Sequence, residues 1–334
     1  MDIRNRRALK QAADGVLAAS AYDPRRLVLI HSGATVALSV AATLIACLLD
    51  TQIGKTGGLS GLSARTNLEA IRSLVAFLPT FLVVFWNVGY SYWALKTSRG
   101  EGVGAEGLLE GFRRFWPVVR CTLLQFFLYL SVAILCVYVA SFLFMMTPAA
   151  VPMMEIMMES ETAIADVTAL DAASQAALSQ AMLPMVGIFL LLFSGLALLI
   201  SYPLRMTTYT LLDDTKAGAL AAMRTSGRLL RGSKGALFRL DLSFWWYYLL
   251  QAVLVVVCYL DVLLEAAGIS LPLSPEVAGY GCYGLSLVGQ MALFVWAKNR
   301  VEGTYVQFYE ALRQPGQPNP EPAPAPKRQP WNYG

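Results

Sequence analysis

Charged residues are scarce in this 334-residue sequence, since Asp, Glu, Lys and Arg together make up 14% of it. A soluble globular domain has about a quarter of its residues charged. The chain therefore has too few charges to cover a water-exposed surface of its size, and 56% of its residues are hydrophobic. This composition excludes an ordinary soluble domain and indicates a polytopic membrane protein. The net charge of +4 says little about nucleic acid if the basic residues are topological anchors that face anionic lipid, and we predict no nucleic-acid partner.

The sequence has a single histidine, His31. A helical zinc-protease motif needs two histidines. A serine nucleophile needs a histidine base within hydrogen-bond reach, yet Ser60, in a Gly-Leu-Ser-Gly motif, lies at the opposite predicted membrane face from His31. The Gly-Lys-Thr of residues 54–56 lacks the earlier glycine of a phosphate-binding loop. We therefore predict that the protein is not an enzyme and binds no cofactor.

Cysteine is also rare, with five residues that lie in or beside apolar segments and have no paired spacing. We expect free thiols. One alternative stays open, because Leu-Ile-Ala-Cys at residues 44–47 fits the tetrapeptide that precedes lipid attachment in bacterial lipoproteins. The 26-residue polar lead before the first apolar segment is too long for an ordinary signal peptide, which weighs against lipidation of Cys47.

Long apolar runs, in contrast, are abundant. About 20 apolar residues span a hydrocarbon core of about 30 Å as a helix. The runs lack the alternating pattern of a membrane barrel, so only helices satisfy their backbone groups in lipid. The sequence predicts an all-α protein with six transmembrane helices, at about residues 27–49, 71–95, 117–146, 182–204, 242–264 and 280–297.

The distribution of the 26 Lys and Arg residues predicts the orientation of these helices. Cytoplasmic loops of membrane proteins are enriched in basic residues. With both termini in the cytoplasm, only Lys55, Arg65 and Arg72 fall at the outer ends of the predicted spans. We therefore expect a multi-pass membrane protein with both termini on the cytoplasmic side.

A basic segment, residues 215–239, leads directly into the aromatic residues 245–248. On a helical wheel its cations occupy one arc and most of its apolar residues the other, although Leu220 and Phe238 violate the pattern. Such a helix beside a span is expected to lie in the membrane interface. We predict that it binds membrane lipid, or alternatively a membrane-protein partner. The predicted binding residues are Lys216, Arg224, Arg228, Arg231, Lys234 and Arg239.

The same arrangement recurs along the chain. Residues 108–113 and 229–234 both contain Leu-Leu-x-Gly followed two positions later by a basic residue, and both precede a predicted span. The N-terminal residues 3–20 precede the first span with a similar, looser pattern. The sequence therefore predicts three transmembrane hairpins, each preceded by a cytoplasmic interfacial helix.

Several polar residues in or near the spans are candidates for a functional site: Asn87, Gln251, Gln290, Arg205 and Asp241. A charge at mid-bilayer costs about 2.5–3.5 kcal/mol on insertion scales. The amides either bond neighbouring helices or surround a midplane site, which would indicate a transporter or a transporter subunit. Arg205 and Asp241 either pair with each other at the cytoplasmic face, or Asp241 caps the fifth span by accepting from the amide of residue 243 or 244.

Two further segments differ in composition from the spans. The outer loop 147–181 is acidic and contains methionine pairs, whose thioethers suit either Cu(I), a soft ion, or a helix that dips into the interface. We assign no metal site to it. The tail 315–334, beyond a single membrane domain of residues 1–314, is proline-rich and predicts a disordered cytoplasmic segment.

The run LLDDTKAGALAAMRTSGRLLRGSKGALFRLDLSF, residues 211–244, resembles the signature of a bacterial integral membrane family known as domain of unknown function 975. Residues 307–312, QFYEAL, resemble the close of that family, and residues 110–115, EGFRRF, resemble an earlier Gly-Phe element. The resemblance implies a scaffold in the bacterial cytoplasmic membrane and no particular reaction. The positions that match the signature are Asp213, Asp214, Ala219, Leu220, Ser226, Leu229, Gly232, Lys234, Leu237, Phe238, Leu240, Asp241, Leu242, Ser243 and Phe244.

Overall fold

A computed structural model describes residues 2–53, 62–148, 150–151, 154–155, 172–214, 218–266 and 275–313. Within these ranges every regular element is a helix and no strand occurs, which confirms the predicted all-α class. Lys216, most of the methionine-rich loop and the proline-rich tail lie outside the described residues. The α-helices are α1 (Arg6–Ala18), α2 (Pro24–Ile53), α3 (Leu62–Ser98), α4 (Glu110–Arg113), α5 (Phe115–Met145), α6 (Ala172–Leu204), α7 (Thr207–Asp213), α8 (Ala219–Leu229), α9 (Lys234–Leu242), α10 (Trp245–Cys258), α11 (Leu260–Ala266), α12 (Pro275–Leu293) and α13 (Asn299–Arg313).

Five helical stretches in the described ranges are long and apolar enough to cross a membrane. A sixth is reached if α9 and α10, which meet at an angle of 62°, are counted together as one broken span. These helices are compatible with a membrane protein. The five stretches are Pro24–Ile53, Arg65–Ser98, Phe115–Met145, Met182–Asp213 and Val277–Arg313.

The long helices pack in sequential pairs, α2 against α3, α5 against α6, and α10 against α12. Many large apolar side chains on their outer surfaces remain exposed, as a lipid-facing surface requires. Leu191 and Leu199 of α6, for example, are 73% and 70% exposed.

The buried core lies where α1, α7, α8, α9 and α13 pack over one set of long-helix ends, which we call the basal end. It contains Leu27 and Val28 near the start of α2, Trp93 near the end of α3, and Phe308 of α13. Helix α13 packs against both α1 and α3. The predicted last span therefore continues as a helix well beyond residue 297, because its final turns form the centre of this core.

At the basal end, α3 approaches α4 and the 3₁₀ turn before it (Ala105–Leu109) closely enough to require glycine. A Cβ atom on Gly89 would lie 1.9 Å from the carbonyl oxygen of Leu108, and one on Gly111 would lie 2.0 Å from that of Phe85. Phe112, next to Gly111, stacks on Phe85 with ring centroids 5.3 Å apart. The Gly-Phe element of the sequence thus joins α4 to α3 backbone to backbone.

Segment 215–239 differs in two respects from the single amphipathic helix predicted for it. First, the segment is divided into α8 and α9, because Gly232 adopts a φ of 85°, a left-handed conformation that ends an α-helix. Second, its apolar side packs against protein instead of lipid. Ala222, Leu230 and Leu237 are buried in the core, and α8 contacts α5, α6 and α7.

The predicted fifth span, residues 242–264, is also interrupted. The amide of Ser243 donates to the carbonyl of Leu240, and that of Phe244 donates to the carbonyl of Asp241, each at 2.9 Å. This tight turn ends α9 and allows the Phe244 ring to enter the core, where it is 1% exposed. A second break at Tyr259 separates α10 from α11. The helix is therefore bent at this turn, and the bend buries the Phe244 ring in the core.

Candidate functional site

The basal end carries a basic surface formed by α8, α9 and the turn between them. Five of the six predicted lipid-binding residues are described and all five are exposed. None of the five forms an ion pair within the described part of the chain. The residues of the basic surface are Arg224, Arg228, Arg231, Lys234 and Arg239.

Hydrogen bonds to Ser226 and Thr210 hold α8 in the orientation that exposes these cations. The Ser226 hydroxyl donates to the carbonyl of Pro203 at 2.7 Å and accepts from the amide of Met206 at 3.2 Å. The Thr210 hydroxyl donates to the carbonyl of Ala222 at 3.0 Å. Because the buried side of α8 is bonded to the junction of α6 and α7, the arginine side faces outward.

Exposed apolar side chains accompany the basic residues. Leu220 and Phe238, which violate the sequence pattern, are each 51% exposed. Leu242 and Trp245, at the turn into α10, are 56% and 59% exposed. Cations beside exposed apolar side chains are the composition that suits a membrane interface.

A second feature of the basal end is a polar cavity of about 280 Å³ between α3, α7, α10 and α13. Its side chains include two cations, one carboxylate and four tyrosines. The lining residues are Ser91, Arg205, Thr208, Tyr209, Tyr247, Tyr248, Gln251, Lys298, Val301, Glu302 and Tyr305.

One wall of the cavity is built by a widened helical turn. Residues Phe294–Lys298 form a π-helical turn between α12 and α13, and such turns are frequent at functional sites. Lys298 ends this turn, and Glu302 and Tyr305 follow at spacings of four and seven residues. Residues at these spacings share one helix face, which explains why all three line the same cavity.

The two charged residues of this wall have different partners. Glu302 Oε1 accepts hydrogen bonds from the hydroxyls of Ser91 at 2.7 Å and Tyr209 at 2.8 Å. Lys298 Nζ donates to Asn87 Oδ1 at 3.0 Å and lies 3.3 Å from His31 Nε2. The carboxylate is thus held by neutral hydroxyl groups, and the ammonium by neutral acceptors.

The opposite wall contains Arg205, whose guanidinium donates to the Tyr248 hydroxyl at 2.9 Å and lies 4.8 Å from the centre of the Tyr305 ring. The Tyr248 and Tyr305 hydroxyls are 2.6 Å apart, and the Tyr305 hydroxyl donates to the Asp241 carboxylate. Arg205 and Asp241 are therefore connected through two tyrosines and form no direct ion pair.

The alternative prediction for Asp241, that it caps the fifth span, does not match this geometry either. Asp241 lies within α9, and its carboxylate accepts from Tyr305. The amides of residues 243 and 244 instead donate to backbone carbonyls.

The predicted polar residues converge only in part. Arg205 and Gln251 line the cavity, and Gln251 Nε2 donates to the Tyr247 hydroxyl at 3.0 Å. Asn87 reaches the cavity through Lys298, whereas Gln290 is exposed and does not line it. The three amides therefore do not surround one site. Sequence reasoning missed Glu302 and Tyr305, although their spacing from Lys298 is a signal that could have identified them.

Next to the cavity, an ion cluster joins the ends of α3, α7 and α13. Arg99 donates to Asp213 Oδ1 at 2.7 Å and to Glu310 Oε1 at 2.6 Å, and Arg313 pairs with Asp213 Oδ2 at 3.0 Å. Partial burial by itself lowers the pKa of Arg99, but its hydrogen bonds to both carboxylates outweigh this effect and raise the pKa. The cluster connects the helices that carry the cavity wall.

The described residues contain no group of three or more His, Cys, Asp or Glu side chains that could hold a metal ion.

A family model for a protein of unknown function, DUF975, matches residues 2–314. The chain belongs to the DUF975 family. The resemblance seen in the sequence is thereby confirmed. Comparisons with curated proteins and with solved structures give no match.

The residues that carry the DUF975 resemblance are mostly packing and hydrogen-bonding residues. Ser226 joins α8 to the α6–α7 junction, and Gly111 permits the contact with α3. Tyr309 donates to Asp213 Oδ2 at 3.1 Å, so the close of the motif contacts its beginning. In this DUF975 protein the motif therefore builds the basal end, which supports both the basic surface and the cavity.

Proposed function

We propose that this protein is a non-enzymatic integral protein of the bacterial cytoplasmic membrane that binds anionic lipid through its basic surface. The observation that carries the proposal is the exposure of five cations with no ion pair in the described chain, beside exposed Leu220, Phe238, Leu242 and Trp245. Each Lys or Arg near an anionic leaflet contributes about 1 kcal/mol of attraction.

The proposed topology has six spans as three hairpins, with both termini cytoplasmic and the basal end on the cytoplasmic side. The pairwise packing of the long helices and the concentration of basic residues at the basal end support it. In the third unit, α8 and α9 form the interfacial element. They contact lipid with their basic and exposed apolar side chains, while their buried side holds them to the bundle.

Charge reversal of the basic surface tests the proposed lipid binding. We expect Arg224→Glu, Arg228→Glu and Arg231→Glu together to weaken binding of phosphatidylglycerol by at least about 1 kcal/mol per charge. Native mass spectrometry of the full-length protein, with phosphatidylcholine as the neutral comparison, measures the lipid retained. The matched control is the triple replacement of the same residues by Lys, which keeps the charge. Equal phosphatidylglycerol retention by the Glu and Lys variants would show that this surface meets something other than anionic lipid.

Cysteine accessibility tests the topology. Ser233→Cys, between α8 and α9, is expected to react with a membrane-impermeant maleimide only after the cytoplasmic side is opened. Met146 lies at the other end of α5, and the native residue is 69% exposed. Met146→Cys is expected to react in intact cells. The unmodified protein measures the background from its five native cysteines. Reaction of both variants from the same side would refute the six-span topology.

A transporter or transporter subunit is a second candidate, and one observation favours it. Gln251, within the predicted fifth span, lines a polar cavity together with Arg205 and Lys298. Against it, Asn87 and Gln290 do not line that cavity with Gln251. A soluble polar metabolite retained in native mass spectra would favour this candidate over lipid binding.

A further inference from the structure

The basal cavity has an imbalance of charge along its walls. Arg205 and Lys298 line it, and neither forms an ion pair in the described ranges of the chain. The lining contains one carboxylate, Glu302, one oxygen of which already accepts two hydroxyl hydrogen bonds. Asp241 lies behind Tyr305 and does not line the cavity. The walls therefore carry one net positive charge, which a singly charged anion would neutralise.

Arg205 is held in position to bind such an anion. Its guanidinium is supported by the Tyr248 hydroxyl and by the Tyr305 ring, and its side chain remains exposed. A guanidinium carries five N–H donors in a planar fork that matches the oxygens of a phosphate group. Because these contacts already order the side chain and a guanidinium has further N–H donors, Arg205 loses little additional side-chain freedom when it binds a phosphate.

We infer that this cavity binds the phosphodiester of an anionic lipid headgroup, with Arg205 and Lys298 as the anion ligands and Gln251 as a neutral donor. A phosphodiester carries a single negative charge, which equals the net charge of the walls. The volume of about 280 Å³ is near the lower end of small-molecule sites, about 300–1,000 Å³, and suits a headgroup better than a large metabolite. This site is separate from the basic surface, so the inference does not depend on the lipid binding proposed for that surface.

The outer side of α10 favours a lipid over a soluble phosphodiester. Tyr248 and Gln251 line the cavity, and on the same helix Leu249, Leu250 and Val253 are 50%, 40% and 47% exposed. A headgroup held by Arg205 would thus lie beside an apolar helix surface along which acyl chains can pack. A soluble diester would gain nothing from that surface.

Titration of the purified full-length protein with short-chain phosphatidylglycerol tests the site. We expect saturable binding of one lipid in the cavity. Calorimetry in detergent measures this binding. Arg205→Gln and Lys298→Gln are each expected to weaken it by at least about tenfold. Gln251→Glu is expected to do the same by placing a second carboxylate in the cavity. It suits the fold because the Tyr247 hydroxyl, which accepts from Gln251 in the native protein, can donate to a carboxylate instead. Retention of full affinity by Gln251→Glu and by either Gln variant would overturn the inference.

Three controls separate the alternatives. Gln290→Glu makes the same substitution at an exposed amide outside the cavity, and we expect it to leave the affinity unchanged. The triple Glu variant of the basic surface should also keep this site, so the two proposals can fail independently. Deacylated glycerophosphoglycerol is expected to bind more weakly than the lipid. Equal binding would support the phosphodiester site and assign it to a soluble diester, whereas binding of neither ligand by the native protein would refute it.

Discussion

Gly89→Ala and Gly111→Ala are each expected to destabilise the protein by several kcal/mol or to prevent its folding. The added Cβ atoms would lie 1.9 Å and 2.0 Å from carbonyl oxygens of Leu108 and Phe85. Since those oxygens belong to helical backbone, no side-chain rotation can relieve the overlap. Insertion of a methyl group into a well-packed core costs about 1–3 kcal/mol, and separating two backbones costs more.

Helical glycines elsewhere in the chain provide matched controls. A Cβ atom on Gly33 of α2 or on Gly187 of α6 would meet no atom within 4 Å. Alanine there removes the helix penalty of glycine, about 1 kcal/mol, so we expect unchanged or slightly raised stability. Thermal unfolding in detergent, followed by circular dichroism or tryptophan fluorescence, measures all four variants. Similar melting temperatures for Gly111→Ala and Gly33→Ala would contradict the close contact of α3 and α4.

Replacement of Arg99 is expected to have the next largest effect. Arg99→Met would leave Asp213 and Glu310, whose side chains are 15% and 13% exposed, without their shared cation. Removing one partner of a buried pair costs about 3–5 kcal/mol. Because this cluster is partly solvated and Arg313 still pairs with Asp213, we expect a loss of about 2 kcal/mol.

The control for Arg99 is an ion pair with the same chemistry and greater exposure. Arg26 pairs with Asp23 at 3.8 Å, with side chains 73% and 50% exposed, and Arg26→Met should change stability by less than about 1 kcal/mol. Calorimetric unfolding of both variants, and of Arg99→Met combined with Glu310→Gln, provides the measurement. The double variant should lose less than the sum of its single changes. Equal losses for Arg26→Met and Arg99→Met would mean that the cluster does not stabilise the basal end.

Arg205 and Asp241 show where sequence reasoning succeeds and where it fails. Their positions near the ends of apolar segments predict that both charges lie at the membrane boundary. Two tyrosines connect them. Tyr248, the partner of Arg205, lies 43 residues from it in sequence, and Tyr305, the partner of Asp241, lies 64 residues from it. No local pattern specifies such a contact. The prediction therefore named two residues that the structure connects through Tyr248 and Tyr305, and the direct partners it proposed for them are not the ones observed.

Segment 215–239 shows the same division between pattern and packing. The arc of basic residues correctly indicates which side of the segment is exposed. An apolar side rich in alanine and leucine suits lipid and protein equally well, so the pattern does not say which one it meets. Leu220 and Phe238 look like exceptions on the wheel, yet their exposure makes them the apolar part of the basic surface.

The sequence by itself determined the all-α class, the long apolar helices and membership of the DUF975 family. These features depend on composition, on hydrogen bonds within single helices and on motifs of contiguous residues. Only the tertiary structure decided that α8 packs on protein, that Gly232 and Phe244 interrupt the basic segment and the fifth span, and which polar groups form the cavity. Ser91 and Glu302, which meet there, are 211 residues apart. Such contacts depend on how separate helix faces are turned toward each other, and helical periodicity defines a face without specifying the helix it will meet.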